Sequence, residues 1–216
     1  MWWASSADGG PHLEPLLSAQ ERERWRAYVQ ADDRLRFLTG AALLRRAAAG
    51  CLSVSPAQLV VDRTCRGCGA QHGKPRLPEH PEFDVSVAHA GDQVAVALAH
   101  GARIGVDVER IRDVEVEELA RSAFAPGEAA ALAALPAAER VAAFFALWTR
   151  KESIVKALGV GITEDFAGVS AAGTGAALHD LACAAGYVAT LAVLGRCDRV
   201  LTLDAATLLH GEPPSG

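Results

Sequence analysis

The chain has 216 residues, 50% of them hydrophobic and 22% charged, enough for one large or two small domains with a real core. A net charge of −5 argues against wholesale nucleic-acid binding, and no uninterrupted apolar run is long enough to span a bilayer. The opening "MWWASSADGG" lacks the basic and apolar regions of a secretory signal, and five cysteines form no regular framework, so a cytoplasmic protein with free thiols is expected.

Residues 18–49 read as helix, with Ser18 as N-cap, Glu21 at the capping-box position, and Trp25, Tyr28, Leu35, Leu38, Ala42 and Leu43 at helical spacing. Gly50 ends this run, and Gly40 inside it signals close packing or a break. "QLVVDR" (58–63) reads as a short strand, and "TCRGCGAQHGKPRLPEHPE" as a Gly/Pro-rich loop. "FDVSVAHA" and "QVAVALAH" flank Gly91-Asp92, a hairpin signal, and "RIGVDVERI" continues as another strand. Helices are expected over 114–121 and 126–148, with Pro126 at a start and Pro136 as a break. The apolar run "FFALWTRKESIVKALGVGI" (144–162) is helical until Gly159 and Gly161 stop it. Short strands follow near 166–170, 176–182, 187–194 and 199–204. The order of helix and then strands comes round twice. That predicts an α+β protein of two similar-sized halves, 1–104 and 105–216, joined near residues 100–106.

Charge is unevenly spread. Residues 21–46 carry seven Arg against four acids, a local patch for an anion, while residues 107–139 carry eight acids against three Arg. The chain has 18 Arg and only three Lys, and two of these, Lys151 and Lys156, stand in the apolar run beside Glu152. A Lys releases a proton at accessible pH and an Arg effectively does not. Taken alone, Glu152 and Lys156 read as an i,i+4 surface pair worth about 0.2–0.5 kcal/mol.

"GVDVE" (105–109) changes the odds. On a strand Asp107 and Glu109 project from one face, about 7 Å apart, with Val106 and Val108 on the other. Two carboxylates so placed repel unless a cation or donor lies between them; the plain alternative is a charged edge strand. Glu152 could add a third carboxylate, a set that suits Mg²⁺ with its remaining ligands from water and phosphate. No His or Cys in either stretch favours zinc.

"GVDVER", followed about 40 residues later by "FALWTRKESIVKALGVG", resembles the paired signature of Sfp-type 4′-phosphopantetheinyl transferases. "ERERWRAYVQADDRLRFLTGAALLR" is similar to the family's N-terminal region, "HGKPRL" to its Gly-Lys-Pro loop, "FDVSVAHA" to its Phe-Asn-x-Ser-His-Ser segment and "GYVATLAVLG" to a late strand. The resemblance implies two α/β-like halves related by a pseudo-twofold axis, with the site in the cleft between them. It implies transfer of phosphopantetheine from coenzyme A to a serine of an apo acyl or peptidyl carrier protein, with release of 3′,5′-ADP. The metal would be Mg²⁺, with Mn²⁺ a substitute, held on the coenzyme A pyrophosphate by Asp107, Glu109 and Glu152. Glu152 would also help deprotonate the serine, directly or through water, and Lys156 would stabilise the pyrophosphate or protonate the departing ADP. His89 and Lys74, with Pro75 and Ala88 beside them, would contact coenzyme A phosphates; Arg24 and Arg36 would take the 3′-phosphate or its surroundings. Lys151 supports coenzyme A or the fold, and Glu128 is either a first-turn helix acid or near the site. The resemblance further implies a monomer acting on polyketide, nonribosomal peptide or fatty acid synthase carriers, with no nucleic-acid or membrane partner. Carrier docking is expected on an apolar patch within 111–135 that includes Phe124, aided by Arg121.

The chain departs from the family pattern in three places: Ala88 stands where a Ser precedes the site His, Asp84 where an Asn follows the Phe, and residues 21–36 offer Arg where relatives often have Lys, which keeps the charge and changes the contact geometry. Cys65-x-x-Cys68 with His72 has zinc-like spacing. A complete structural site needs a fourth ligand and Cys183 and Cys197 are far off, so a plain loop is the preferred reading. Two other functions remain as alternatives. A non-catalytic carrier-binding module is disfavoured by the intact acids and Lys156. A nucleotide hydrolase is disfavoured because no P-loop pattern is present.

Overall fold

The computed structural model describes residues 1–65, 67–161 and 166–210. Its elements are β1 (Trp2–Ser5), α1 (Ala19–Ala27), α2 (Ala31–Leu52), β2 (Phe83–Ala90), β3 (Gln93–His100), β4 (Arg103–Arg110), α3 (Val116–Ala123), α4 (Pro126–Ala134), α5 (Ala137–Leu158), α6 (Ala171–Thr174), β5 (Ala177–Asp180), β6 (Tyr187–Leu194), β7 (Leu203–Asp204) and α7 (Ala206–His210). One sheet runs β2-β3-β1-β7 and the other β4-β6-β5, an α+β arrangement. Among the described residues no helix is long and apolar enough to cross a membrane.

The single helix expected over 18–49 is two. Its start is as read, with Ser18 and Glu21 closing a capping box. At Tyr28 and Gln30 the backbone turns extended, and Arg34 Nη2 donates to the freed Tyr28 carbonyl at 2.7 Å. The reason lies further along the chain. On one straight helix Glu21 and Arg45 would stand about 36 Å apart. With the break, Arg45 Nε meets Glu21 Oε2 at 2.6 Å, both side chains almost wholly buried. A buried pair is tolerated only when its other donors are used, and Arg45 Nη1 gives its hydrogens to Pro56 O and Leu59 O. That also undoes the strand expected at 58–63. The Leu59 carbonyl serves a guanidinium instead of a ladder, and only Asp62 bridges, to Arg76.

Gly40 is a close-packing glycine: α2 runs through it unbroken, and a Cβ there would meet Val87 and Val94. The hairpin turns at Gly91, whose φ of 54° lies in the left-handed region. Pro136 separates α4 from a continuous α5, so 137–158 is one helix, closed by left-handed Gly159. The strand expected near 166–170 is a 3₁₀ turn at Phe166–Gly168. Of 199–204 only Leu203–Asp204 pairs, in parallel with β1. The chain end therefore returns to the first half: Ala205 and Leu209 are fully buried with Leu43, Leu44 and Val85.

Three cores place the site. The first joins α2 to β2 and β3. The second lies between the sheets, where Ala88, Ala95 and Ala97 face Val106, Val108 and Leu191. The third gathers Phe124, Phe144, Phe145 and Phe166 around α5. Phe124 is only 3% exposed, against Phe144 and Trp148. It is a core residue, not part of a docking patch, because α3 folds its apolar face onto α5.

β2 and β4 are each an edge of their sheet, and side chains bridge the seam between them. Ile104 N donates to Asp84 Oδ2 at 2.7 Å and Val106 N to Ser86 Oγ at 3.0 Å. An unpaired edge is a liability, and here two edges cover each other.

Candidate active site

β4 alternates as its pattern requires. Val106 and Val108 enter the core between the sheets, and Gly105, Asp107 and Glu109 take the other face. α5 lies directly over that face because residue 105 has no side chain. A Cβ there would run into Ser153 O and Ala157 N, and would stand 2.8 Å from Lys156 Cβ. With helix on bare strand, Lys156 Nζ donates to Asp107 Oδ1 at 2.7 Å. The simple Glu152–Lys156 surface pair is thus replaced by a contact across to β4, and Glu152 is 8% exposed.

The three acids feel one another. Burial pushes the Asp107 carboxyl above its usual range, opposed by Lys156. Burial and then Asp107 push Glu152 up, again opposed by Lys156. Burial and then Asp107 raise Glu109 from 4.5 to about 7, against the pull of Arg112. Asp107 Oδ2 is buried with no hydrogen-bond partner among the described residues. An orphaned carboxylate oxygen with two further acids in electrostatic reach is a deficit of positive charge, and hard oxygen donors suit Mg²⁺. The ligand oxygens of the three do not all lie within 4.8 Å of one another, so closing on one ion would require these side chains to turn.

Beside the acids a cleft of about 390 Å³ is lined by Arg36, His89, Gly91, Glu109, Arg110 and Arg112. Arg110 and Arg112 carry no motif signal of their own; their place close behind the paired acids Asp107 and Glu109 is the one sequence feature that points to them. Arg36 is anchored, with Nη1 donating to Gly91 O at 2.8 Å and Nη2 on Asp33 at 2.5 Å. His89 stands at the rim. The cleft walls, then the cations Lys156 and Arg36, hold its imidazole below the usual value, so it is largely neutral at pH 7.

The other expected cofactor-binding residues do not line this cleft. Arg24 is outside the cleft, donating to Gln71 O at 2.5 Å and lining a small crevice with Glu21 and Arg63. Lys74 braces the seam, bonded to Asp84 Oδ2 at 2.5 Å and Ile104 O at 2.9 Å, and Pro75 beside it is buried. Ala88 is buried between the sheets. Lys151, 2% exposed, takes the fold-supporting role: Nζ donates to Ala167 O and Val169 O and pairs with Glu128 at 2.9 Å. Glu128 also accepts from Ala125 N, so it is the first-turn cap of α4.

A pH effect on the metal-free protein follows. An acid whose pKa is higher folded than unfolded binds its proton more tightly when folded, so folding is opposed once pH strips that proton from the unfolded chain. For Glu109 the penalty is absent below 4.5, grows up to about 7 and is complete above it; Asp107 and Glu152 share its sign. The melting temperature of the metal-free protein should fall across that window, and Mg²⁺ should restore most of the loss above it. A flat profile, or no Mg²⁺ effect, would remove the acids from one site.

Fold and site together define a class: an α+β protein with an arginine-lined cleft beside two buried acids and a half-buried third, suited to a phosphorylated ligand carried on a divalent cation. Residues 103–183 match the 4′-phosphopantetheinyl transferase superfamily, and residues 2–101 match 4′-phosphopantetheinyl transferase, N-terminal. A 4′-phosphopantetheinyl transferase of Bacillus subtilis is 30% identical over 73% of this chain and 67% of its own length. HetI of Nostoc is 31% identical over 70% of this chain and 63% of its own length, and Sfp of Bacillus subtilis 30% over 68% and 62%. The chain belongs to the 4′-phosphopantetheinyl transferase superfamily, an enzyme family, and the matches span roughly three fifths to two thirds of these relatives' lengths.

Proposed function

We propose that this protein transfers 4′-phosphopantetheine from coenzyme A to a serine of an apo acyl or peptidyl carrier protein, with Mg²⁺, releasing 3′,5′-ADP. The observation that carries this reading is the contact of Lys156 with Asp107 across α5 and β4, next to the arginine-lined cleft. The serine oxygen forms a bond to the phosphorus that bears pantetheine, and the bond from that phosphorus to the ADP oxygen breaks. Glu152, held in a desolvated wall, takes the serine proton directly or through water. Lys156 gives a proton to the departing ADP or clamps its charge. Arg36, Arg110, Arg112 and neutral His89 offer donors to the phosphates. Asp107, Glu109 and Glu152 would hold Mg²⁺, which supplies Lewis-acid stabilisation of phosphoryl charge. A pseudo-twofold relation of the halves is part of the proposal, supported by two 22-residue helices, α2 and α5, each followed by an antiparallel strand pair. A monomer in the cytoplasm is the working state.

The test is incubation with coenzyme A, Mg²⁺ and an apo carrier, followed by the mass of the carrier. A gain of one phosphopantetheine is expected. Carrier binding without gain would make the protein a binding module, and 3′,5′-ADP release without gain a hydrolase.

Lys156→Arg separates charge from proton. Its base is packed close to Gly105, and Arg keeps the charge while losing the compact, ionisable ammonium. The expected loss in kcat is on the order of 10²-fold, the low end of an acid–base contribution, with coenzyme A affinity by calorimetry little changed. A variant within a few-fold of wild type leaves Lys156 as a charge clamp.

A further inference from the structure

The loop between α2 and β2, read from its sequence as plain, brings three metal-ligating side chains together. Among the described residues, Cys65, Cys68 and His72 are the one group of three His, Cys, Asp or Glu side chains whose ligand atoms all lie within 4.8 Å of one another. Cys68 Sγ is 3.0 Å from His72 Nε2. The zinc bond lengths of about 2.3 Å to sulfur and 2.0–2.1 Å to nitrogen put tetrahedral ligands about 3.5–3.8 Å apart. The observed spacing is within a small rotamer adjustment of that.

The backbone builds the arrangement. Cys65 N donates to Ala70 O at 2.7 Å and Gly69 N to Cys65 O at 2.9 Å, and Gly69 turns the chain with a φ of 74°. Only residues with that freedom reverse the chain so tightly. Packing does not demand these cysteines, since Cys68 and His72 are exposed and Cys65 half-buried. A dithiol redox pair of the C-x-x-C type sits at a helix N-terminus, whereas this one lies in an irregular loop.

We propose that Cys65 Sγ, Cys68 Sγ and an imidazole nitrogen of His72 bind one zinc-class divalent ion, with the fourth position open to water. The acid trio is a separate site, for it offers only hard oxygen donors. The bound ion would fix the loop that ends at Gly73, whose N–H donates to Arg63 O at 2.7 Å and whose Cβ position lies 3.0 Å from Cys65 Cα. The next residue, Lys74, enters the seam between the sheets. The ion therefore braces the seam from outside.

The experiment is titration of the reduced full chain with Co²⁺ in excess Mg²⁺, followed by absorbance, then competition with Zn²⁺. One equivalent should give a thiolate-to-cobalt charge-transfer band and tetrahedral d–d intensity, both removed by Zn²⁺. C65S and C68S should lose the band, H72A should weaken binding at least about 10²-fold, more than loss of an outer-shell partner, and C183S should keep it. Circular dichroism will show whether the variants stay folded; should one unfold, protection of two thiols from a disulfide reagent by Zn²⁺ in the wild type, with Mg²⁺ as control, gives the same answer. No band in the reduced protein, a band kept in C65S and C68S, or thiols left unprotected would overturn the site.

Discussion

Asp107→Ala is expected to lower phosphopantetheine transfer by roughly 10³-fold or more, the several kcal/mol that metal stabilisation of phosphoryl charge supplies at about 1.36 kcal/mol per tenfold. Asp107 is the pivot of the site. One oxygen accepts from Lys156, the other is buried without a partner among the described residues, and its charge adds to burial in raising the proton affinity of both Glu109 and Glu152. Removing it takes a ligand from a set with none to spare, and it frees Lys156 to swing from its place. The fold should survive, because a carboxyl already strained by burial gives little to stability and Lys156, 29% exposed, hydrates once unpaired. Asp107→Asn keeps the shape and should fail as badly. Turnover and melting temperature are measured side by side at physiological Mg²⁺. Near wild-type turnover in either variant would end the metal assignment.

Gly105→Ala is expected to fail differently, by unfolding. The added methyl would overlap Ser153 O and Ala157 N, which are backbone atoms of α5 and have no rotamer to retreat to. The helix must lift from β4, opening the contacts of Ile154 and Ala157 with Ala192 and separating Lys156 from Asp107. Overpacking of this kind falls in the exceptional class above about 4–5 kcal/mol, which for a chain of this size lowers the melting temperature by about 10 °C or more at roughly 2–4 °C per kcal/mol. Gly127→Ala is the control: nothing lies within 4 Å of a Cβ at Gly127. A Gly105→Ala protein as stable as that control would show that the close approach of helix to strand is not what holds the site.

The chemistry of the site was open to reading where it depends on local spacing. Asp107 and Glu109 share a face because strands alternate, Glu152 and Lys156 share a stripe because helices repeat, and the Ser18 capping box and Gly91 hairpin are local geometry. Family membership was also legible, since its motifs are short and contiguous.

What the sequence could not settle is which distant groups meet. Arg45 and Glu21 break a helix that its own periodicity would carry through, because burying a cation demands its partner at any cost to local propensity. Lys74 and Lys151 are taken up by the seam and by the 166–169 turn, since an ammonium withdrawn from water must find acceptors. Arg110 and Arg112 reach the cleft while Arg24 does not, and Phe124 goes inside, as the packing of α3 and α5 dictates. Spacing along the chain determined which side chains share an element and a face. Only the packing of α5 onto β4 through a bare glycine decided that Lys156 meets Asp107, because contacts between elements are set by shape and desolvation summed over the whole fold.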